Sequence, residues 1–515
     1  MKTRTNLSFI LLAIALFAKI NASAQTSTWN HDIGNIFYSN CSSCHRNGGL
    51  GPFPIMSYTD VLSNLTSIET AITNKSMPPW KPDPNYRHFK GETCLKPSEI
   101  AKINQWISAG APEGTGVAPT PPTFNSNSQL DVVDATLSTL NYTVPTNVDD
   151  YRTFVIPSNN TSDRYLNAAE FLPGNNALVH HIILFQDTSS VSHNLDLADP
   201  QPGFASNGTM QQSSSATYVA IWAPGAANFQ LPDNMGIKIP AGADFLIEIH
   251  YAPDHQGESD STTINIKYCT QPNVREVIVD DVLDWGPTSL INYPLSIPAN
   301  QVKSYKQRWT NNLGTASVLS IFPHMHKIGR SYKVYTTNAQ NTDTVGYIHI
   351  PNWDFHWQGF YMFQKIQKFS LGEKIWGEAT FDNTTNNPDN PSNPPINVVA
   401  GEHTTNEMMI TFLTYTPYQV GDENVVLDSS IFAGLHHKES LALSNQIYPN
   451  PSHNFLSVNN SQQYDSYTIS SIHGNLIYQH SEFPISIENL DAGVYTIQLR
   501  NKNTHETQTF KFMRE

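Results

Sequence analysis

Two adjacent histidines, His180 and His181, lie inside the apolar run "NALVHHIILF" (176–185), where burying an imidazole without a partner is costly. Further along, His250 stands in "IEIHYAP", and His324 and His326 in "FPHMHKIG". Imidazoles at i and i+2 of a strand emerge on one face and can share one metal ion. A thioether beside them would let the site hold both Cu(I) and Cu(II). Taken singly, each histidine is more often a satisfied core or surface residue than a ligand; it is the clustering in apolar text that favours ligation. Neighbouring residues of a regular strand face opposite ways. If His180 and His181 serve one ion, the strand must be bulged or twisted there, or the nearer ring nitrogens must bind. A local irregularity at this pair is therefore expected. "GLHHKES", with His436 and His437, looks alike but sits in polar text and reads as solvated.

A second constellation is "CSSCH" at 41–45. Two thiols can add across haem vinyl groups while the adjacent His45 supplies an axial imidazole to iron. A redox or zinc cysteine pair is the competing reading, but it needs no histidine at that place. Met77, in the Pro-fixed "SMPPW", is the preferred sixth ligand, with Met56 and His88 as substitutes; methionine ligation suits electron transfer.

These residues must be positioned by several domains, because 515 residues exceed one core. Residues 1–24 form a signal peptide: Lys2 and Arg4, an apolar run from Phe9 to Ala18, then "ASA". No later run is long enough to span a membrane. Residues 27–117 read as helical, closing on "AKINQWISAGAPEG", and 118–130 as a Pro- and Ser-rich linker. From 131 the text turns to short alternating or apolar runs punctuated by Pro, Asn and Gly, indicating two tandem antiparallel β-sandwiches, 131–295 and 296–430. Residues 446–515 read as a further small β-unit. The expected architecture is thus a small all-α domain, two β-sandwiches (jelly-roll-like) and a small β-sandwich. A formal charge of −15, more negative once Lys2, Arg4 and Lys19 leave with the signal, argues against nucleic acid or anionic lipid as a partner. Cys94 and Cys269 are left over, as a disulfide or as two thiols.

The first segment, through "CSSCHRNGGLGPFPI", "MPPW" and "AKINQWISAGAPEG", resembles a class I-like c-type cytochrome domain, which implies a covalent haem c on Cys41, Cys44, His45 and Met77. The text from about 130 to 430 resembles the copper type II, ascorbate-dependent monooxygenases, the group that holds the peptidylglycine α-hydroxylating and dopamine β-monooxygenases. The matching stretches, in order, are "FLPGNNALVHHIILF", "IWAPGA", "IPAGADFLIEIHYAP", "FPHMHKIGRSYKV", "DNTTNNPDNPSNPP" and "TTNEMMITFLTY".

This resemblance implies two copper ions across a wet cleft, the electron-transfer copper on His180, His181 and His250 and the oxygen-binding, catalytic copper on His324, His326 and Met408, with Met409 as rival thioether. It implies hydroxylation of a C–H bond with dioxygen and an external reductant, and the fused haem suggests a relay to the three-histidine copper. The peptide-hydroxylating relatives hold a substrate carboxylate with an Arg, an Asn and a Tyr; here Phe322, Ile410 and Phe412 stand at those places, so the pocket is more apolar and a glycine-extended peptide does not fit. Tyr415, Trp353 and Trp357 are candidate lining residues, with sandwich core as their competing role. The substrate is otherwise an open small molecule or peptide. The competing function is a haem and copper electron-transfer or metal-binding protein that hydroxylates nothing; a carbohydrate-binding or adhesive module would leave the metal residues idle.

The last block, "IYPNPSHNFLSV" with "NLDAGVYTIQLR", resembles the type A sorting domain of the type IX secretion system. That implies the secretion machinery as a partner, passage through the periplasm and then a cell-surface or extracellular location, with removal of the block.

Overall fold

The computed structural model describes residues 27–428 and 447–515, apart from 48, 50, 125–127, 207–212, 225, 227, 459–460, 472–475 and 503–506. The signal peptide and His436 and His437 lie outside the described residues. The chain divides into two compact units, 1–428 and 429–515.

The sheets of the first unit follow from its alternating text. A five-stranded antiparallel sheet runs Phe204–Ala205, Asp150–Pro157, Asp244–Tyr251, Val179–Asp187, Thr217–Trp222. It faces a six-stranded sheet containing Arg164–Leu172 and Thr263–Tyr268, and Leu166, Ile182, Leu184, Ile247 and Ile264 fill the space between. A second pair follows. One four-stranded sheet orders Ile278–Leu283, Ile410–Pro417, Ala316–His324 and Tyr361–Phe369; the other orders Gln301–Thr310, Lys374–Asn383, Gly329–Thr337 and Thr344–Ile350. Ile321, Tyr332, Val334, Phe363 and Phe381 form its core.

The two pairs also bury apolar faces against each other. Ile183, Phe185, Ile221 and Leu246 of the five-stranded sheet meet Phe322, Met408, Ile410 and Phe412 of the second pair. This explains why "VHHIILF" is apolar throughout: Ile182 and Leu184 point into their own sandwich, while Ile183 and Phe185 point into the seam. Arg275 adds a two-pronged ion pair across the same pairs of sheets, Nη1 and Nη2 donating to Asp422 at 2.8 and 2.7 Å.

The small all-α cytochrome domain expected from the sequence is not formed. Among the described residues strand (40%) far outweighs helix (12%). Among the described residues of 27–117 the α-helices are Gly34–Asn40, Tyr58–Ser63, Leu65–Thr73 and Pro97–Ser108, gathered on Trp29, Phe37, Ile103 and Trp106. Between them Pro78, Pro79, Pro82 and Pro84 forbid helix, and the chain instead runs along the second pair of sheets. There Asp83 N donates to His349 O and Lys90 N to Met362 O, each at 2.8 Å, and Phe89 enters the sheet core.

The second unit packs a three-stranded sheet (Ile447–Tyr448, Phe455–Val458, Ile485–Ser486) and a four-stranded one on Leu456, Ile469, Ile497 and Leu499. Its Pro-Asn-Pro entry turn is pinned to the closing strand, Asn450 Nδ2 donating to Lys511 O and Asn450 Oδ1 accepting from Met513 N. No helix among the described residues is long and apolar enough to cross a membrane.

Candidate metal centres

The strand carrying His180 and His181 is irregular where two adjacent imidazoles require it. In its ladder with Asp244–Tyr251, Ile182 faces Ile249 and His181 faces His250, but Val179 faces Tyr251. His180 is the extra residue, and such a bulge turns a side chain that would point into the sandwich toward the seam. The three rings then gather, with His180 Nδ1 and His250 Nδ1 at 3.1 and 3.4 Å from His181 Nδ1. Two nitrogens each about 2 Å from one ion lie roughly 3–3.5 Å apart, so the spacing suits a shared cation. Burial, with the neighbouring imidazoles, holds His180 and His181 far below the ordinary histidine pKa. His250 is also lowered, burial outweighing its carboxylate partner. Neutral rings offer lone pairs, which metal ligation needs.

Which nitrogen faces inward is decided from behind. His250 Nε2 donates to Asp149 Oδ1 at 2.8 Å, leaving Nδ1 as the free lone pair. Tyr151 stacks on His250 with centroids 4.2 Å apart.

His324 ends its strand and His326 lies two residues on; their centroids are 5.1 Å apart, nearly perpendicular. Here the orientation is reversed. His324 Nδ1 donates to Gln358 Oε1 at 2.7 Å and His326 Nδ1 to Asn406 O at 3.2 Å, so Nε2 is the free atom on both. Burial brings His324 down to about 4, against the Gln358 bond, and holds His326 well below the ordinary histidine value. Met408 lines the same cavity as both rings, whereas Met409 is buried in the second sandwich core. Glu407, fully buried, accepts from the backbone N–H of His326, Ile328 and Met408 at 2.9, 2.8 and 3.2 Å. Burial nevertheless pushes its carboxyl up to about 8.

His180 and His181 of the first group and His324, His326 and Met408 of the second line one cavity of about 40 Å³, together with Ile183, Ile221, Phe322, Glu248 and Glu402. That is room for a few waters, so the wet cleft that the resemblance implies is a narrow chamber here, with apolar side chains of the seam on its walls. Phe355 is a wall between the groups, stacked on His180 at 4.5 Å and edge-on to His326 at 5.8 Å. Tyr415, Trp353 and Trp357 do not line the cavity; Trp353 is in the second sandwich core.

Cys41, Cys44 and His45 share one turn after the Gly34–Asn40 helix, with His45 N donating to Cys41 O at 2.9 Å. His45 Nδ1 donates to Phe53 O at 3.0 Å, which leaves Nε2 as its free ring nitrogen. A Cβ at Gly51 would fall 2.5 Å from that ring, so glycine is required by the close approach. Burial, then Cys44, pushes the Cys41 thiol up to about 12. Met77 is half-buried on the loop after Leu65–Thr73, and no described contact ties it to His45; Met56 is half-buried and His88 is paired with Glu92 at 3.0 Å. Cys94 and Cys269 are separate free thiols, donating to Glu92 and to Met235 O.

Asp149, Gln358, Thr404, Glu407 and Phe355 escaped the sequence reading as site residues. Only Glu407 left a signal, a lone carboxylate ahead of "MMITFL". Gln358→Leu removes the acceptor that fixes His324. It should weaken copper binding there about 10–100-fold, read by competition with a chromophoric Cu(I) chelator.

Two pairs of sheets with converging imidazoles between them describe a copper-type protein. Residues 135–258 match the family model "Copper type II ascorbate-dependent monooxygenase, N-terminal domain", and 446–513 match "Secretion system C-terminal sorting domain". The first match contains His180, His181 and His250 but stops short of His324, His326 and Met408. The chain thus carries a copper monooxygenase-like domain, and a sorting domain that directs export to the cell surface or beyond through secretion machinery. No curated protein matches the chain. Among solved structures, a peptide-N(4)-(N-acetyl-beta-D-glucosaminyl) asparagine amidase is 10% identical over 55% of this chain and 97% of its own, TM-score 0.22. PNGase F from Flavobacterium meningosepticum is 12% identical over 58% and 95%, TM-score 0.18. The infectious bursal disease virus VP2 subviral particle is 8% identical over 59% and 77%, TM-score 0.15. Likeness at such scores carries no structural or functional weight.

Proposed function

We propose that the protein is an exported dicopper monooxygenase that hydroxylates a C–H bond of a rather apolar organic substrate with dioxygen. The observation that carries this reading is that two unlike ligand sets meet at one chamber: His180 and His181, whose Nδ1 atoms cluster with that of His250, and two Nε2 atoms beside a thioether. Copper held there would supply one-electron redox chemistry and the activation of dioxygen. His180, His181 and His250 hold the all-nitrogen position, Asp149 fixing the tautomer of His250. His324, His326 and Met408 hold the softer one, and the thioether favours the reduced ion. Phe322, Ile410 and Phe412 exclude water and offer a buried carboxylate no partner.

A haem c on Cys41, Cys44 and His45, with Met77 as sixth ligand, is the internal electron source in this reading, fed by an external reductant. It is supported by the motif and by the His45–Phe53 hydrogen bond. The neighbouring chain leads toward the chamber: Trp80 packs edge-on to Tyr361 at 5.5 Å, Lys81 pairs with Asp354 at 2.9 Å, and Phe355 follows, stacked on His180.

The narrowness of the chamber, about 40 Å³, favours a second reading, a haem and copper electron-transfer or metal-binding protein without hydroxylase activity. Metal and haem analysis of the exported protein, joined to a screen for substrate-stimulated oxygen uptake, separates the readings. Two coppers with substrate-dependent uptake support the hydroxylase, copper without uptake selects the second reading, and failure to load copper overturns both. Cys41→Ser with Cys44→Ser should abolish the pyridine haemochrome spectrum of the purified protein; an unchanged spectrum removes the haem from this turn.

A further inference from the structure

The carboxylate of Asp149 faces two ways. Oδ1 accepts from His250 Nε2, while Oδ2 accepts from the Thr404 hydroxyl, 255 residues away in sequence. Asp149 is partly buried and Thr404 is 2% exposed. It belongs to the loop that ends in the second ligand set: two residues on, Asn406 O accepts from His326 Nδ1, and Glu407 and Met408 come next. The loop is closed on itself by Gly401 N donating to Glu407 O and Asn406 N to His403 O. A shift of Thr404 is therefore carried to His326 and Met408. Asp149 immediately precedes the strand Asp150–Pro157, whose first residues pair with Tyr251 and His250, so it moves with the first ligand set.

We propose that Asp149 and Thr404 are positioning residues that couple the two metal groups, so that an ion on His180, His181 and His250 strengthens binding at His324, His326 and Met408. An ion on the His250 Nδ1 lone pair fixes the ring with its Nε2–H on Asp149. Asp149 then presents its other oxygen to Thr404 in one orientation, and the Asn406–Met408 segment is held in the geometry its ligands need. The coupling is reciprocal by thermodynamic necessity. A carboxylate is required because one side chain must accept on two sides; Asp149→Asn leaves a single acceptor oxygen.

This inference rests on the copper reading above. The test is an anaerobic Cu(I) titration of the full chain against a competing chelator. Cu–S scattering in X-ray absorption reports occupancy of the Met408 set separately from the all-nitrogen set. His181→Ala disables the first set without touching Asp149 or Thr404, so His181→Ala, Thr404→Val and the double variant form a thermodynamic cycle. Each single variant should weaken the sulfur-containing site about 10-fold, within the 5–150-fold typical of such coupling, and the double variant no further. Thr404→Ser, which keeps the hydroxyl, should behave as the parent. Additive losses in the double variant, or a parental Thr404→Val, overturn the coupling while leaving the copper reading intact. A parent that binds no copper overturns both.

Discussion

Replacing His181 by alanine should halve the copper content of the saturated protein, from two equivalents per chain to one, and the ion that remains should be the one with a sulfur neighbour. His181 is the middle of its group, its Nδ1 lying 3.1 Å from that of His180 and 3.4 Å from that of His250. The other two nitrogens alone make a weaker site. Losing a hydrogen-bond partner behind a ligand already costs about 10–100-fold in affinity, so losing the ligand should cost about 10³-fold or more. The ring is neutral in the buried seam, so its removal leaves no stranded charge and the fold should persist. Metal analysis after dialysis, with circular dichroism as control, reads the result. Two equivalents retained by a folded His181→Ala protein would remove this group from the copper chemistry.

Glu407 should be the most damaging single truncation in the second pair of sheets. Its carboxylate accepts from three backbone N–H groups, of His326, Ile328 and Met408. All three belong to buried residues. An unsatisfied buried donor costs about 1–3 kcal/mol, so Glu407→Ala should lose about 3–5 kcal/mol and lower the apoprotein Tm by about 10 °C. Glu407→Gln keeps the shape but only one acceptor oxygen, and should fall between. The pH dependence has a definite sign. Burial raises the folded carboxyl from 4.5 to about 8. The protonated form is therefore favoured by folding, and this contribution is full below about pH 4.5 and is lost as pH rises to about 8. Urea unfolding of the metal-free protein should show stability falling across that window in the parent and a flatter profile in Glu407→Gln. Equal slopes would show that Glu407 does not titrate there.

How much of this was legible beforehand depends on whether a feature is local. The bulge at His180 could be expected from two adjacent imidazoles in an apolar strand, because a regular pleat sends them apart. The tandem sheets were written in alternating runs, and the apolar lining of the seam in Phe322, Ile410 and Phe412. The N-terminal segment misled. Its helical text is real over Pro97–Ser108, but the aromatic side chains of Trp80 and Phe89 pack on the second pair of sheets instead of in a domain of their own.

The sequence alone determined the kinds of ligand available, the imidazoles, thiols and thioether, and their spacing along each strand, since both are properties of short stretches. Only the tertiary structure decided which atom of each faces the chamber. Met408 rather than Met409, Nδ1 on one side and Nε2 on the other, and the Asp149–Thr404 bridge all depend on groups remote in the chain. An imidazole presents whichever nitrogen its partner leaves free, and those partners meet only when the two pairs of sheets close over their shared apolar seam.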